Sequence, residues 1–420
     1  MTVVASEPTP RPRPADDHGK GPPAALLVLI SVAVGALVAN LYYAQPLVAL
    51  IAPEIGISPD VAGSIVSVTQ IGYALGLLLL VPLADLVENR RLVLLSLGCT
   101  AAGLLGTALS PSPQPFFAFA FLIGFCATGA QVLLPFVSHL VPAKRRGRVM
   151  GNVMAGVLTG IMLARPVSLF LSAALGWRAV FLASAVLMVA IGLALRRVMP
   201  RRLPPSGTRY GAALASMGCM IRDMPALRWR CLYQTLMFGA FNLFWTAAPL
   251  MLSKSFGLGV AGIGWFSLAG AGGALAAPLA GRLADRGLGH IASPAAMALL
   301  AFTFVLSIAT VNASALYALA LLAVLLDAAM QTSQVVAQRF VFSVPAEVRG
   351  RANAIFVTMQ FAGGAAGSML ATVLWHAGGW PATALTGAAA GFGALVLCIL
   401  EGRLGKGSSI RQVRPEQCSH

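Results

Sequence analysis

The sequence predicts an all-α integral membrane protein, with twelve transmembrane helices in two pseudo-symmetric six-helix halves around a central cavity. Of its 420 residues, 58% are hydrophobic and only 10% are charged, whereas soluble domains are about a quarter charged. Apolar stretches long enough to cross a bilayer follow one another along most of the chain. The second six of these stretches repeat features of the first six, which divides the chain into halves.

The apolar runs define spans 1 to 12 in chain order. They lie near residues 24–48, 61–84, 92–110, 115–141, 149–174, 178–197, 229–252, 260–283, 291–311, 314–341, 351–376 and 380–400. The predicted organisation is a disordered tail (1–23), an N-terminal half (24–197), a linker (198–228), a C-terminal half (229–400) and a second tail (401–420). In the linker, Tyr210, Leu214, Met217 and Ile221 recur at helical spacing, which predicts either a surface helix that ends before Pro225 or a plain linker with accidental periodicity.

The orientation of the chain is predicted by its positive charges. Arginine and lysine are frequent in alternate loops, whereas the loops of the other side hold only Arg178 and Lys254. Because cytoplasmic loops carry the basic excess, we expect a multi-pass protein of the cell (inner) membrane with both termini in the cytoplasm. The net charge of +16 is then an orientation signal and a contact with anionic lipid, and nucleic acid is not an expected partner.

Internal repeats support the two-half architecture. V-P-A-K-R-R-G-R at residues 141–148 recurs as V-P-A-E-V-R-G-R at residues 344–351. Gly176-Trp177 recurs as Gly379-Trp380, and the L-A-D of residues 83–85 recurs at residues 283–285. Since both copies begin on the same side of the membrane, we expect parallel repeats related by an axis along the membrane normal.

Several of these motifs resemble those of a known transporter family. Residues 81–91, V-P-L-A-D-L-V-E-N-R-R, resemble the G-x-L-A-D-R-x-G-R-K loop between spans 2 and 3 of the major facilitator superfamily, with Val81 and Glu88 in place of its glycines. The copy at residues 281–287, G-R-L-A-D-R-G, is closer to that pattern. N-L-Y-Y-A-Q-P-L (40–47) and L-L-D-A-A-M-Q (325–331) resemble bacterial arabinose- and drug-efflux permeases. The resemblance covers residues 24–400 and implies proton-coupled antiport, although the arginine that drug antiporters often carry in span 4 has no counterpart between Phe116 and Pro135.

Two charged residues are predicted in the middle of the membrane, where a charge costs roughly 2.5–3.5 kcal/mol on insertion scales. They are Arg165 in span 5 and Asp327 in span 10, and both are candidates for proton coupling. Gln331, Gln334 and Gln338 follow Asp327 at helical spacing on one face of span 10. This polar stripe predicts the wall of a water-filled cavity, with hydrogen bonding between packed helices as the alternative.

The sequence leaves the role of Asp327 open. A permanent ion pair with Arg165 would keep its carboxylate ionised as a static strut. If it faces the cavity unpaired, loss of water favours the neutral, proton-carrying form. In a third arrangement, an anionic substrate or a proton displaces one partner, and the pair acts as an exchange switch.

Further polar and aromatic residues are candidates for the substrate wall. Asparagine beside paired aromatic residues occurs at corresponding places in spans 1 and 7, although aromatic residues there are equally expected as anchors at the membrane interface. The candidates, besides the glutamines of span 10, are Asn40, Tyr42, Tyr43, Gln70, Tyr73, Gln131, Asn242 and Trp245.

Charges repeated at the cytoplasmic ends of both halves predict a gate. Carboxylates that end spans 2 and 8 can pair with arginines that begin spans 5 and 11 and so hold the inner ends together. The alternative is that they are solvated loop charges. The gate candidates are Asp85, Arg146, Arg148, Asp285, Arg349 and Arg351.

Small residues recur every fourth position in two spans. They are Gly156, Gly160, Ala164, Ser168 and Ser172 in span 5, with Gly363 and Gly367 in span 11. Such rows let two helices approach closely. We therefore expect the row in span 5 to set the distance between Arg165 and a neighbouring helix.

These features favour a secondary transporter over an enzyme. The sequence has no G-x-x-x-x-G-K-[ST] phosphate loop for an ATP-driven pump, and no H-E-x-x-H motif or pair of mid-membrane carboxylates for a protease. We expect no catalytic residues, cofactor or metal, and a monomer whose partners are lipid, protons and a small organic molecule. Export by proton antiport is the leading prediction, and uptake by symport or a non-transporting sensor of the same fold are the alternatives.

Overall fold

The computed structural model describes residues 23–201, 210–344 and 346–404, which are helical apart from short connections and contain no β-strand. The predicted tails lie almost wholly outside these ranges. The helices of the N-terminal half are Ala24–Ala39, Val48–Ile55, Ser64–Leu79, Asn89–Leu109, Pro113–Ala127, Gly129–Leu140, Ala143–Leu175 and Trp177–Val198. Those of the C-terminal half are Pro225–Phe256, Val260–Ala271, Ala276–Asp285, Gly289–Asn312, Leu316–Ser343 and Ala346–Leu404, and a linker helix spans Tyr210–Asp223.

These helices form twelve membrane spans. Ten described helices are long and apolar enough to cross a membrane, and one of them, Val348–Arg403, is 56 residues long. That helix is interrupted at Gly378 and Gly379, so it forms spans 11 and 12. The shorter apolar helices Ala24–Ala39 and Gln45–Ile55 together form span 1.

Each half turns between its fifth and sixth spans at a glycine, which explains the Gly-Trp repeat. Gly176 has a φ of 81° and Gly379 a φ of 63°, a region that favours glycine. The tryptophans that follow, Trp177 and Trp380, are buried and fix the start of the sixth span in each half.

Span 1, predicted near residues 24–48, is not one continuous helix. The first helix ends at Ala39, and the chain then forms turns until Val48 begins the second helix. Pro46 lies in the short 3₁₀ helix Gln45–Leu47 within this interruption. Because proline has no backbone N–H, it favours a break in the helix at this point. Because of this break, the directions of the side chains of residues 40–47 do not follow the regular spacing of an α-helix.

The two halves meet along two pairs of spans, 2 with 11 and 5 with 8. In the first pair, Ser67 Oγ donates a hydrogen bond of 2.7 Å to the Ala365 carbonyl oxygen. In the second, the rings of Phe170 and Trp265 contact with centroids 5.2 Å apart. Spans 4 and 10 share no interface of comparable size. We call the side of the linker the inner side, following the predicted orientation.

The linker helix Tyr210–Asp223 confirms the prediction of a helix that ends before Pro225. Tyr210 Oη donates a hydrogen bond of 2.9 Å to the Leu79 carbonyl oxygen in the N-terminal half. Ser216 accepts one from Arg351 in the C-terminal half. The linker helix therefore contacts the inner ends of both halves, and span 7 begins directly after it at Pro225, inside the predicted linker.

Candidate functional site

Arg165 and Asp327 are joined through a tryptophan. Arg165 is 4% exposed, and its guanidinium carbon lies 4.6 Å from the ring centroid of Trp245. The indole Nε1 of Trp245 donates a hydrogen bond of 2.8 Å to Asp327 Oδ1. No direct ion pair within 4.0 Å joins Arg165 to Asp327 in the described part of the chain. We call this arrangement the Arg–Trp–Asp link.

Aromatic rings surround the guanidinium of Arg165. Its central carbon lies 5.0 Å from the ring centroid of Phe241 and 5.4 Å from that of Tyr42, in addition to Trp245. A desolvated cation–π contact contributes about 2 kcal/mol or more. The rings therefore offset part of the cost of burying a cation without a carboxylate beside it. They come from spans 1 and 7, so the contacts join the two halves.

A chain of hydrogen bonds extends from Arg165 across the interface between the halves. Arg165 Nε donates to Gln45 Oε1 at 2.9 Å, and Gln45 Nε2 donates to Asn242 Oδ1 at 3.1 Å. Gln70 Nε2 donates to the same oxygen of Asn242 at 2.7 Å, and Thr246 Oγ1 accepts from Gln45 Nε2 at 3.2 Å. Among the described residues, two buried atoms of this network have no hydrogen-bond partner, namely Arg165 Nη2 and Gln70 Oε1.

Glycines of span 8 allow the Arg–Trp–Asp link to form. A Cβ on Gly270 would lie 2.5 Å from the ring of Trp245, and one on Gly273 would lie 2.6 Å from the Cβ of Asp327 and 2.3 Å from a backbone oxygen. Span 8 changes here to a 3₁₀ helix over Gly272–Leu275. Any larger side chain would push span 8 away from spans 7 and 10. The two glycines therefore allow span 8 to pack directly against Trp245 and Asp327.

The glutamines of the polar stripe of span 10 are only partly buried, and their place in a cavity wall stays a prediction. Gln331, Gln334 and Gln338 are partly exposed, whereas Ser333, Val336 and Ala337 of the same helix are buried. Gln131 of span 4 is also partly exposed. Among the described residues, spans 4 and 10 share no large interface, and a cavity between them that these side chains would line stays a prediction.

The remaining wall candidates lie in different places. Gln131 Nε2 donates a hydrogen bond of 3.1 Å to Tyr73 Oη, so these two candidates meet. Asn40 points toward span 6, where its Oδ1 accepts a hydrogen bond of 2.6 Å from Ser184 and its amide contacts Met188. Tyr43 is half-buried and lines a groove between spans 1 and 5. Neither residue joins the network around Arg165, whereas Tyr42, Gln70, Asn242 and Trp245 all do.

The inner charges do not form the predicted clamp in this conformation. Asp285 pairs with Arg339 of span 10, within its own half, and Arg349 donates to the Val344 carbonyl oxygen. Arg351 donates to Ser216 of the linker helix, and Arg148 is exposed. The side chains of Asp85 and Arg146 lie outside the described part of the structure. Asp285, Arg349 and Arg351 thus have partners other than those of the predicted clamp, and the role of the clamp stays a prediction.

We expect Asp285→Asn to lower transport by a factor of up to about five without reducing the amount of protein in the membrane. The reason is that an exposed ion pair contributes roughly 0.2–1 kcal/mol, enough to shift the inward and outward populations but not to unfold helices. Initial transport rates in vesicles, normalised to protein level, measure the effect. Asp223→Asn, which removes an exposed carboxylate of the linker helix, is the control. Equal rates in both variants would show that Asp285 is merely a solvated charge.

Sequence reasoning placed Gln45 beside the aromatic residues of span 1 without including it among the final candidates, and it did not select Phe241 or Thr246, although all three contact the network. The signal for Gln45 was its position before Pro46 in an apolar span, because a long polar side chain there needs partners. Phe241 and Thr246 carried no such signal, since buried phenylalanine and threonine are common in membrane helices.

The chain was compared with known proteins. The model of the Major Facilitator Superfamily matches residues 27–232 and again residues 230–415, one match for each half. This chain belongs to the Major Facilitator Superfamily. Among curated proteins, it is 39% identical over 365 residues to the "Uncharacterized transporter YgaY" of Escherichia coli O157:H7, covering 87% of this chain and 92% of that protein. It is 35% identical over 387 residues to the "Probable transporter SCO4007" of Streptomyces coelicolor, covering 90% and 89%.

Two more distant similarities complete the comparison. The "Chloramphenicol resistance protein" of Streptomyces lividans is 28% identical over 268 residues, covering 62% of this chain and 67% of that protein. Among solved structures, a D-xylose-proton symporter superposes with a TM-score of 0.70 at 16% identity, covering 88% of this chain and 96% of the symporter chain. These findings make the protein a multi-pass membrane transporter with the superfamily's twelve-helix fold.

Proposed function

We propose that the protein exports a small organic molecule in exchange for protons, by alternating access between its two halves. The observation that carries this proposal is the Arg–Trp–Asp link, because it places the mid-membrane carboxylate of Asp327 in a contact that also joins the halves. Ionisable groups inside a membrane commonly mark proton pathways. The similarity to a chloramphenicol resistance protein and the resemblance to efflux permeases support export.

In this proposal the Arg–Trp–Asp link locks the empty transporter. Ionised Asp327 accepts the Trp245 N–H in a charge-assisted hydrogen bond and attracts Arg165 through the intervening ring. Protonation of Asp327 weakens both interactions, so a proton entering from outside releases the lock. Substrate entering the inner cavity releases it from the other side. An empty carrier that cannot reorient does not leak protons, and each ligand can therefore drive the exchange of the other.

Proton flux in proteoliposomes tests this function directly. Purified protein is reconstituted with a pH-sensitive dye inside, and a panel of toxic organic compounds is added in turn. Under antiport, a transported compound moving out of the compartment brings protons in, and under symport both move in the same direction. If no compound in a panel selected by growth protection moves protons, the proposed coupling is wrong.

We expect Trp245→Phe to create a proton leak in the absence of substrate. Phenylalanine keeps an aromatic ring beside Arg165 but has no N–H for Asp327, so the lock loosens. Dye-filled liposomes under an imposed pH gradient measure the leak. The control is Trp380→Phe, because Trp380 is equally buried and its Nε1 donates a hydrogen bond of 3.0 Å to Ser307, away from the link. A leak in both variants, or in neither, contradicts the lock.

A further inference from the structure

Within the part of the chain that the structure describes, the network around Arg165 contains one buried donor and one buried acceptor that lack partners. They are Nη2 of Arg165, in the N-terminal half, and Oε1 of Gln70, in span 2 of the same half. A buried polar atom without a hydrogen bond costs roughly 1–3 kcal/mol, and more when the group is charged. Such atoms are uncommon in folded proteins and call for an explanation, such as a ligand that pairs with them.

The chemistry of the unpartnered donor selects an anion. The guanidinium of Arg165 is a planar fork that matches a carboxylate in two parallel hydrogen bonds. Asp327 does not fill this position, because its Oδ1 accepts the N–H of Trp245 and it forms no direct ion pair with Arg165. The Nε of Arg165 is already bonded to Gln45, whereas its buried Nη2 has no partner among the described residues.

The unpartnered acceptor, Gln70 Oε1, is complementary to a hydrogen-bond donor. Gln70 is connected to Arg165 by three successive hydrogen bonds, through Asn242 and Gln45, so the two free atoms belong to one network. Gln70 Oε1 and the ring of Phe238 both lie close to Gly364: a Cβ added to that glycine would be 2.7 Å from the oxygen and 2.8 Å from the ring. A hydroxyl or amino group is the complementary chemistry at this point.

The surroundings of both atoms are aromatic. Tyr42, Phe241 and Trp245 surround Arg165. Near Gln70, the rings of Phe238 and Phe361 have centroids 5.0 Å apart, and Phe361 also contacts Tyr73 at 4.5 Å. Ligand sites are typically apolar walls with a few polar groups that fix orientation. A ligand here therefore has an apolar or aromatic body.

We propose that the substrate is an apolar monocarboxylate that also carries a hydrogen-bond donor, such as a hydroxy acid or amino acid with an apolar side chain. Its carboxylate binds Nη2 of Arg165, and its hydroxyl or amino group donates to Oε1 of Gln70. This inference rests on the proposed transport function and adds a substrate class to it. A carboxylate on Arg165 competes with the Arg–Trp–Asp link, so substrate releases the lock as a proton on Asp327 does.

The test compares ligands that differ in one group. Each set contains a hydroxy acid, its amide, and the acid without the hydroxyl. The first set is phenyllactate, phenyllactamide and phenylpropionate. In two further sets, an indolyl group or a branched alkyl group replaces the phenyl group. Calorimetric titration of the purified full chain gives dissociation constants. For at least one body, we expect the acid to bind about 10- to 100-fold more tightly than its amide, the range for a hydrogen bond to a charged group. If no acid in the panel binds more tightly than its amide, the proposal is wrong.

Variants assign the effect to the two atoms. Arg165→Gln should abolish the preference for acid over amide, and Arg165→Lys should retain part of it, because lysine keeps the charge but not the fork. Arg178→Gln, which removes an exposed arginine paired with Glu54, is the control. Gln70→Met should remove the advantage of phenyllactate over phenylpropionate. An unchanged acid preference in folded Arg165→Gln overturns the assignment. Proton flux driven by compounds without a carboxylate would overturn this substrate class while leaving proton-coupled export intact.

Discussion

Replacing Asp327 with asparagine is expected to abolish transport driven by a pH gradient while leaving substrate binding and substrate exchange intact. The amide keeps the shape of the side chain and an oxygen that can accept the Trp245 N–H, but it cannot take up a proton. Counterflow of labelled substrate across liposomes without a gradient measures exchange, and uptake into liposomes with an acidic interior measures coupling. The expected pattern is normal counterflow together with gradient-driven uptake at the level of empty liposomes.

The geometry makes a folded Asp327→Asn protein the expected outcome. If Asp327 were a strut to Arg165, its loss would leave a buried cation unpaired, at a cost on the order of 3–5 kcal/mol, and the protein would be lost from the membrane. In the structure, however, Arg165 is held by Gln45 and three rings rather than by Asp327. Fluorescence-detected size exclusion of the variant distinguishes these cases before any flux is measured.

A double variant and a control complete this experiment. Combining Arg165→Gln with Asp327→Asn should restore expression only if the single variant is poorly folded, as the strut would require. Asp223→Asn, at an exposed site outside the spans, should leave both counterflow and gradient-driven uptake unchanged. Full gradient-driven transport by Asp327→Asn would move the coupling site to another residue.

Local patterns in the sequence were enough to predict the architecture. Span number, the two halves and the linker helix follow from hydropathy, repeats and helical spacing, each of which depends on neighbours along the chain. Even the turn at Gly176 and Gly379 was visible as a repeat, although its cause, a positive φ, was not. The break in span 1 was missed because an apolar run with one proline is compatible with a kinked but continuous helix.

The sequence predicted several residues of the candidate site, but not which of them contact one another. Arg165 and Asp327 were selected because charges in a membrane are costly, and they do lie near one another. That Trp245 stands between them depends on which face of span 7 meets span 5, and this is decided by packing across the halves. The same applies to Asn40, whose side chain accepts a hydrogen bond from Ser184 of span 6 and does not join the network around Arg165.

The small-residue row of span 5 leads to the second large effect: Gly160→Ala is expected to destabilise the protein and to reduce transport. A Cβ on Gly160 would lie 2.3 Å from the carbonyl oxygen of Gly35, with the carbonyl carbon and Cα of Gly35 at 2.7 and 2.8 Å. All three are backbone atoms of span 1, so no side chain can rotate to make room. Spans 1 and 5 must therefore separate.

That separation acts on the site, because Arg165 and Gln45 lie on the same two spans and are joined by a hydrogen bond of 2.9 Å. We expect a loss of about 1–3 kcal/mol of stability, the usual cost of overpacking, together with a lower affinity for substrate. Thermal unfolding in detergent and counterflow in liposomes measure the two effects. Gly151→Ala is the matched control, since a Cβ there meets nothing within 4 Å and the helix of span 5 is the same. Similar melting temperatures and transport rates for the two variants would show that spans 1 and 5 are not held together by this contact. A defect confined to Gly160→Ala would establish that the close approach of the two helices positions Arg165.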